Sequence, residues 1–462
     1  MKKFLALLLC LTFISGVFVS CNSETKQPEI TPPDDSGEDS VSDTDTDISD
    51  EPEIPDEPAE PEYDELDPNF LAVAKQYTHD DGSVLSSYVG ETVTSYEEVC
   101  VFYEAEGYEL YCENNFNGNL FSTYVKGDKL AHVYWIDALD ELNILTSETR
   151  GKNLPDKNIT AEGDIPLSVT QLQQDSSQTS GMAYIIQLQD GSFIIYDGAY
   201  AGTVRELCNT LIKLKGDKNI HIRAWLITHS HDDHYSGFEA FTTQNKRYLD
   251  SLTLDYVLIS PISKDQSIAM DSDGYYFAGN IQKDMEKFEG AKLCYVSTGM
   301  SFDFLNARMD ILFTPDELFI DGTTWYFNDT STISRISSNQ EDSGDTMNMI
   351  FLGDAGVSVA ERLMMYYGHF LRSDMCQISH HGVENFPLLA YRIIKSSILW
   401  YPCNTNLYSG GAGANRDANV RAVLRDSSVT KEILLRDNAK YTRYFNPELN
   451  PEIDPDNKFP SK

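Results

Sequence analysis

The stretch Trp225-Leu226-Ile227-Thr228-His229-Ser230-His231-Asp232-Asp233-His234 decides how this chain is read. An apolar run with the character of a buried strand leads straight into three imidazoles and a carboxylate, in the pattern His-x-His-x-Asp-His. Neutral imidazole and carboxylate are the usual ligands of zinc and similar divalent ions. Surface histidines in a polar loop would need neither this spacing nor the strand before it. His229, His231, Asp233 and His234 are therefore read as a metal site.

Three more segments share that design, an apolar strand that ends in a ligand-type residue. They are Ser192-Phe193-Ile194-Ile195-Tyr196-Asp197, Met349-Ile350-Phe351-Leu352-Gly353-Asp354 and Gln377-Ile378-Ser379-His380-His381-Gly382. Strands pack side by side, so residues just past their ends meet at one rim of a sheet. Five of the nine histidines fall in two of the four pieces. His79, His132, His221 and His369 stand apart and are read as surface or packing residues.

Working outward, residues 165–446 read as a layered α/β unit. Asp190-Gly191 joins two apolar strands, Ala183–Leu188 and Ser192–Tyr196. A helix follows, with Val204, Leu207, Cys208, Leu211 and Ile212 on one face and Gly216 as its stop. Further strands are expected over Ile222–Thr228, Tyr256–Ser260, Met309–Phe313, Ile333–Ser337, Met347–Leu352, Met375–Ser379 and Ile398–Tyr401. Helices are expected near Val359–Phe370 and Asn419–Leu424. Alternating β and α segments of this kind build a sheet covered by helices.

Residues 67–151 read as a small α+β accessory module. Thr94-Ser95-Tyr96-Glu97 has the form of a capping box, and Gly107 ends the helix it opens. Strands Tyr108–Cys112, Asn119–Lys126, Leu130–Ile136 and Leu142–Thr146 follow, turned at Asn117-Gly118 and Gly127-Asp128. None of Cys100, Cys112, Cys208, Cys294, Cys376 and Cys403 lies in a CxxC pair, so thiolate metal binding has no support. A Cys100–Cys112 bridge and buried free thiols both remain open.

Residues 1–20 have the layout of a secretory signal: Lys2 and Lys3, an apolar run from Phe4 to Val19, then Ser20 before Cys21. Ser20-Cys21 resembles the lipobox of bacterial lipoproteins, which implies lipidation of Cys21 and an extracytoplasmic, membrane-anchored chain. Residues 21–66 form a Pro-rich acidic tract with 18 acids against Lys26. Such a segment buries too little apolar surface to offset its ordering entropy and serves as a disordered tether. The whole chain carries −38, of which −23 remains once that tract and the two signal lysines are set aside. This balance argues against extended nucleic-acid binding, which needs clustered Lys and Arg. Residues 447–462 are a polar tail.

The four strand-end pieces together resemble the metallo-β-lactamase fold superfamily over residues 165–446. The resemblance implies an αββα sandwich with a di-metal cleft at one edge. On it, His229 and His231 hold the first ion, Asp233 and His234 the second, and Asp354 bridges both. His381 or His380 completes the second site, and Asp197 orients a ligand or the motif loop from behind. The superfamily normally supplies one more histidine between the motif and the bridging Asp, yet none occurs here from Tyr235 to Asp354. The same gap is found in the metallohydrolase domain of ComEC-type competence proteins. Phe327-Asn328-Asp329-Thr330-Ser331 and Ser379-His380-His381-Gly382 are similar to that group as well.

This resemblance implies a surface-anchored hydrolase that uses a metal-activated water, with phosphoester bonds preferred. Asp233 positions the water, and whichever of His380 and His381 is not a ligand protonates the leaving group. The cofactor is a divalent metal, zinc in the first place, one or two ions, with manganese or iron also suited to an oxygen-rich site. The substrate is a small molecule or a polymer end. Two other readings stay open. One keeps the site but cuts a lactone, thioester or lactam; the other is a non-catalytic envelope-binding lipoprotein with a relict metal site.

Overall fold

The computed structural model describes residues 71–173, 178–216, 219–249, 251–260, 262–270, 278–322, 326–340, 343–383, 386–408, 429–436 and 442–451. The signal segment, Cys21, the acidic tract and the helix expected at Asn419–Leu424 lie outside these residues. No helix among them is long and apolar enough to cross a membrane.

The first sheet is antiparallel and consists of β1 (Lys75–Thr78), β2 (Val84–Val89), β3 (Glu109–Phe116), β4 (Asn119–Lys126), β5 (Lys129–Ile136) and β6 (Glu141–Ser147), in the order β1-β2-β6-β5-β4-β3. Asn117 and Gly118, at φ +59° and +91°, make the two-residue turn from β3 to β4 that such a hairpin requires. The N-cap of the helix Val93–Ala105 lies two residues before the expected one. Thr92, not Thr94, is its N-cap: Thr92 is extended and its hydroxyl accepts from the Ser95 N–H. Cys100 and Cys112 are free thiols, so the bridge between them does not form.

Two seven-stranded sheets follow. One contains β7 (Ser168–Gln171), β8 (Tyr184–Gln187), β9 (Phe193–Tyr196), β10 (Ile220–Leu226), β11 (Leu252–Ile259) and β12 (Lys292–Tyr295), with β20 (Thr442–Tyr444) beside β7. The other runs in chain order through β13 (Ser301–Phe304), β14 (Ala307–Phe313), β15 (Ile333–Ser338), β16 (Asn348–Phe351), β17 (Met375–Gln377), β18 (Ile398–Tyr401) and β19 (Glu432–Leu435). Tyr196 and Phe351 stack between them, ring centroids 3.8 Å apart at 13°. On the outer face of the sheet that contains β7–β12, Trp225 and Ile195 pack with Leu207 and Leu211 of the helix Val204–Lys215 and with Phe238 and Phe241 of the helix Asp232–Gln244. The helices Val357–Tyr367 and Leu388–Ile394 bury Leu363, Tyr367, Ala390 and Ile394 in the core of the other. The architecture is α/β, with two sheets between helical layers.

β9 and β10 are parallel neighbours, as are β16 and β17. Parallel neighbours finish at the same edge, so the residues after each pair are delivered together. β10 ends at Leu226, two residues short of the expected strand, and Asp232, Asp233 and His234 open a helix rather than lying in a loop.

The six-stranded sheet shares a core with the sandwich: Phe116, Phe121 and Tyr134 belong to the same buried cluster as Phe302, Met309 and Tyr367. His132 is fully buried in this contact, bonded to Thr123 Oγ1 and to the Thr298 carbonyl, each at 2.8 Å. Burial pushes its pKa down to about 4, which makes it a neutral packing residue. His79 is also buried, facing Asp316, and His221 is half-buried against Asp255 at 2.7 Å.

Two glycines let the site's backbone close up. A Cβ on Gly237 would lie 1.8 Å from the Gly198 carbonyl oxygen, and the Gly237 N–H donates to Ala199 O at 2.7 Å. We expect Gly237→Ala to cost about 1–3 kcal/mol in urea unfolding, through overpacking against backbone that cannot move aside. Gly202→Ala, where a Cβ meets nothing within 4 Å, should leave the midpoint nearly unchanged.

Candidate metal centre

Asp197 stands just past the end of β9 in a left-handed conformation, φ +53°, and is fully buried. Its Oδ1 accepts from the Thr228 N–H at 2.7 Å. Its Oδ2 accepts from the Thr228 hydroxyl and from His234 Nδ1–H, each at 2.7 Å. One carboxylate thus ties the turn after β9 to the loop after β10 and to the first turn of the next helix. Because His234 gives its Nδ1 proton to Asp197, its Nε2 faces the cleft with a lone pair.

His381 is set up in the same way from the other sheet. Its Nδ1–H donates to the Pro402 carbonyl at 3.1 Å, which turns Nε2 inward. That atom lies 2.9 Å from Asp233 Oδ2, 3.3 Å from Asp354 Oδ2 and 3.3 Å from His234 Nε2. The loop holds it there with three successive positive φ angles: His380 at +48°, His381 at +54° and Gly382 at +80°. Left-handed backbone costs a non-glycine residue roughly 1–2 kcal/mol, and such strain collects at functional sites.

Asp233, His234, Asp354 and His381 each offer one ligand atom, and these atoms all lie within 4.8 Å of one another. Asp354 Oδ1 is buried with no hydrogen bond, although His234 Nε2 is only 3.1 Å away. Two imidazole lone pairs directed at two carboxylates repel unless positive charge sits between them. A divalent cation meets that demand, and so do two protons. The donors fit a metal.

In the protein's own charge balance the protons take that place. Burial opposes a charge on His234, but Asp354 and Asp197 outweigh it and hold its pKa well above the ordinary value. Burial also opposes a charge on His381, yet Asp354 and Asp233 raise it to about 9. Burial likewise favours the neutral carboxyl of Asp233 and Asp354; the facing imidazoles His381 and His234 reverse this and hold both well below the usual carboxylate range. His229 differs, since burial and then the charge of His234 keep it neutral.

His229 and His231 form an adjoining pair. His229 Nε2 is 3.2 Å from His231 Nδ1 and 3.9 Å from Asp354 Oδ2, while Ser331 Oγ is 3.4 Å from His229 Nδ1. His231 caps the helix Asp232–Gln244 and stacks on Phe327 with centroids 4.6 Å apart. Asp354 therefore has one oxygen toward His234 and the other between His381 and His229. His380 is outside the group of four; its Nε2 lies 3.3 Å from Asn328 Nδ2.

Three contacts were not anticipated from the sequence. The Pro402 carbonyl orients His381, the Ser180 hydroxyl donates to Asp233 Oδ2 at 3.1 Å, and the Ser331 hydroxyl accepts from the Asp354 N–H at 3.0 Å. None carries a sequence signal, because serines and backbone carbonyls occur everywhere.

Residues 177–246, which contain the His-x-His-x-Asp-His motif, match a family model described as the metallo-beta-lactamase superfamily. No curated protein matches the chain. Among solved structures, it is similar to CmlA, a diiron beta-hydroxylase from Streptomyces venezuelae, at 11% identity and a TM-score of 0.36, covering 62% of this chain and 54% of that one. The chain thus spans about half of CmlA. It is also similar to the metallo-beta-lactamase fold protein YhfI from Bacillus subtilis, at 12% identity and a TM-score of 0.34, covering 60% of this chain and 98% of that one. A diphosphatase of the PhnP family matches at 12% identity and a TM-score of 0.33, covering 54% of this chain and 93% of that one.

Two outcomes are expected. Asp197→Asn should weaken metal binding about 10–100-fold in a competition titration, because the orienting charge behind His234 is lost. In chelated protein, the His381 pKa of about 9 exceeds its unfolded value near 6.5, so its contribution is complete below about pH 6.5 and lost as pH rises through about 9. Melting temperatures taken from about pH 6 to about pH 10 should show that decline, and bound metal should abolish it.

Proposed function

We propose that this chain is a metal-dependent hydrolase of phosphoester bonds, exported and held at the membrane through Cys21. The observation that carries the hydrolase reading is the convergence of Asp233, His234, Asp354 and His381 with their lone pairs directed inward. A divalent cation held there supplies Lewis-acid activation of water and of the scissile ester. Zinc, manganese and iron all suit a mixed imidazole and carboxylate set.

The protein's residues divide the remaining work. Asp354 lies between the two halves of the site, with Oδ1 toward His234 and Oδ2 between His381 and His229. Asp233 is fixed by Ser180 and by His381, and its carboxylate positions the water beside the cleft. His380 stands next to the ligand group without being part of it; with Nε2 accepting from the Asn328 amide, its other ring nitrogen is the one to carry a proton to the departing oxygen. Preference for phosphoesters is supported by an aspartate at the bridging position and by the motifs similar to ComEC-type domains. The negative charge of the folded part favours a small substrate or a polymer end over long nucleic acid.

Elemental analysis of the purified protein beside Asp354→Ala and His231→Ala tests the site. We expect metal in the first and substantial loss from both variants; wild-type protein without metal after reconstitution would support a relict binding protein. For the reaction, His380→Ala should cut kcat/KM about 10²-fold or more on an alkyl phosphodiester. It should have little effect on a p-nitrophenyl diester, whose leaving group needs no proton. Turnover of lactone or cephalosporin substrates, with no phosphodiesterase activity, would overturn the phosphoester assignment.

A further inference from the structure

The His229 and His231 half of the cleft has fewer protein donors than the other half, and one buried oxygen beside it has no hydrogen bond. Asn328 is 6% exposed, and its Oδ1 is without a hydrogen-bond partner. Such an oxygen forfeits its water contacts on folding and is destabilising if nothing replaces them. The residues around it are packed against the two histidines: Phe327 stacks on His231, and Ser331 Oγ touches His229 Nδ1. Ser331 also accepts from the Asp354 N–H, so this short segment is fastened to the bridging aspartate. The other end of the Asn328 amide is committed to His380, with Nδ2 and Nε2 3.3 Å apart, which leaves the carbonyl end as the open acceptor.

We infer that Asn328 is the carboxamide ligand of a second cation, held with His229, His231 and Asp354, in place of a third imidazole. This rests on the reading of the cleft as a metal centre and adds a member to its donor set. A carbonyl oxygen is a harder donor than imidazole nitrogen, so a site of two imidazoles and two oxygens shifts preference from zinc toward manganese. The amide would then link the two functions of the cleft, its oxygen on the cation and its nitrogen on the imidazole of His380.

The test is a titration of the full-length protein, stripped by chelation, with Mn(II) followed by the EPR signal of the free ion, and with Zn(II) by competition. Wild type should bind two Mn(II) per chain. Asn328→Leu, which keeps the branched shape and removes the oxygen, should bind one at unchanged affinity and the other at least tenfold more weakly. Asn328→Asp should retain both; if the leucine variant fails to fold, the histidine variant gives the answer. Asn328→His should raise zinc affinity at the weaker site at least tenfold. Two Mn(II) bound equally well by the leucine and wild-type proteins, no gain in zinc affinity with histidine, or one Mn(II) in wild type would overturn the assignment. Wild type that takes up neither metal would instead overturn the metal-centre reading itself.

Discussion

A fully buried carboxylate accepting three hydrogen bonds is the constraint on which this site depends. Asp197 binds the Thr228 N–H, the Thr228 hydroxyl and His234 Nδ1. A carboxylate without partners in that position would be driven to its neutral form by desolvation. With them it fixes the path of the chain after β10 and the tautomer of His234 in one step. The turn it occupies is sealed by backbone hydrogen bonds to the following helix, from Gly198 N to His234 O at 2.6 Å and from Met182 N to Asp233 O at 2.9 Å. The glycine pair that permits this approach is as necessary as the acid itself.

The opposite wall is built by different means. His381 has no carboxylate behind it; a backbone carbonyl and a left-handed loop do the orienting. One imidazole is therefore held by charge and the other by strain. The helical and sheet layers serve both, since parallel strand pairs in each sheet bring their ends to one edge. The six-stranded sheet adds rigidity at a distance, through His132 and through Asn114, whose Nδ2 donates to Gly299 O at 2.7 Å.

Much of the site was legible because its signals are local. His-x-His-x-Asp-His compresses four candidate donors into six residues, and each of the other pieces follows an apolar strand. What could not be read depends on contacts remote in sequence. Whether His380 or His381 turns inward is decided by the Pro402 carbonyl and by φ angles that no side-chain pattern announces. Strands such as Ser168–Gln171 and Thr442–Tyr444 are short, and they are set by pairing: the first lies between Tyr184–Gln187 and the second, which comes from the far end of the chain. β2 likewise depends on β6, well over fifty residues on, and β1 on β2 in turn. The sequence points to Thr94 as the cap rather than Thr92 because two threonines stand two residues apart and only the backbone torsion shows which one lies outside the helix.

The equivalence of two protons and one cation in the cleft bears on how the protein meets metal scarcity. Many small metal domains unfold when their ion is removed, because the bare ligands cannot tolerate one another. Here the imidazoles of His234 and His381 neutralise Asp233 and Asp354 as the ion would. Demetallation is then a titration inside an intact scaffold.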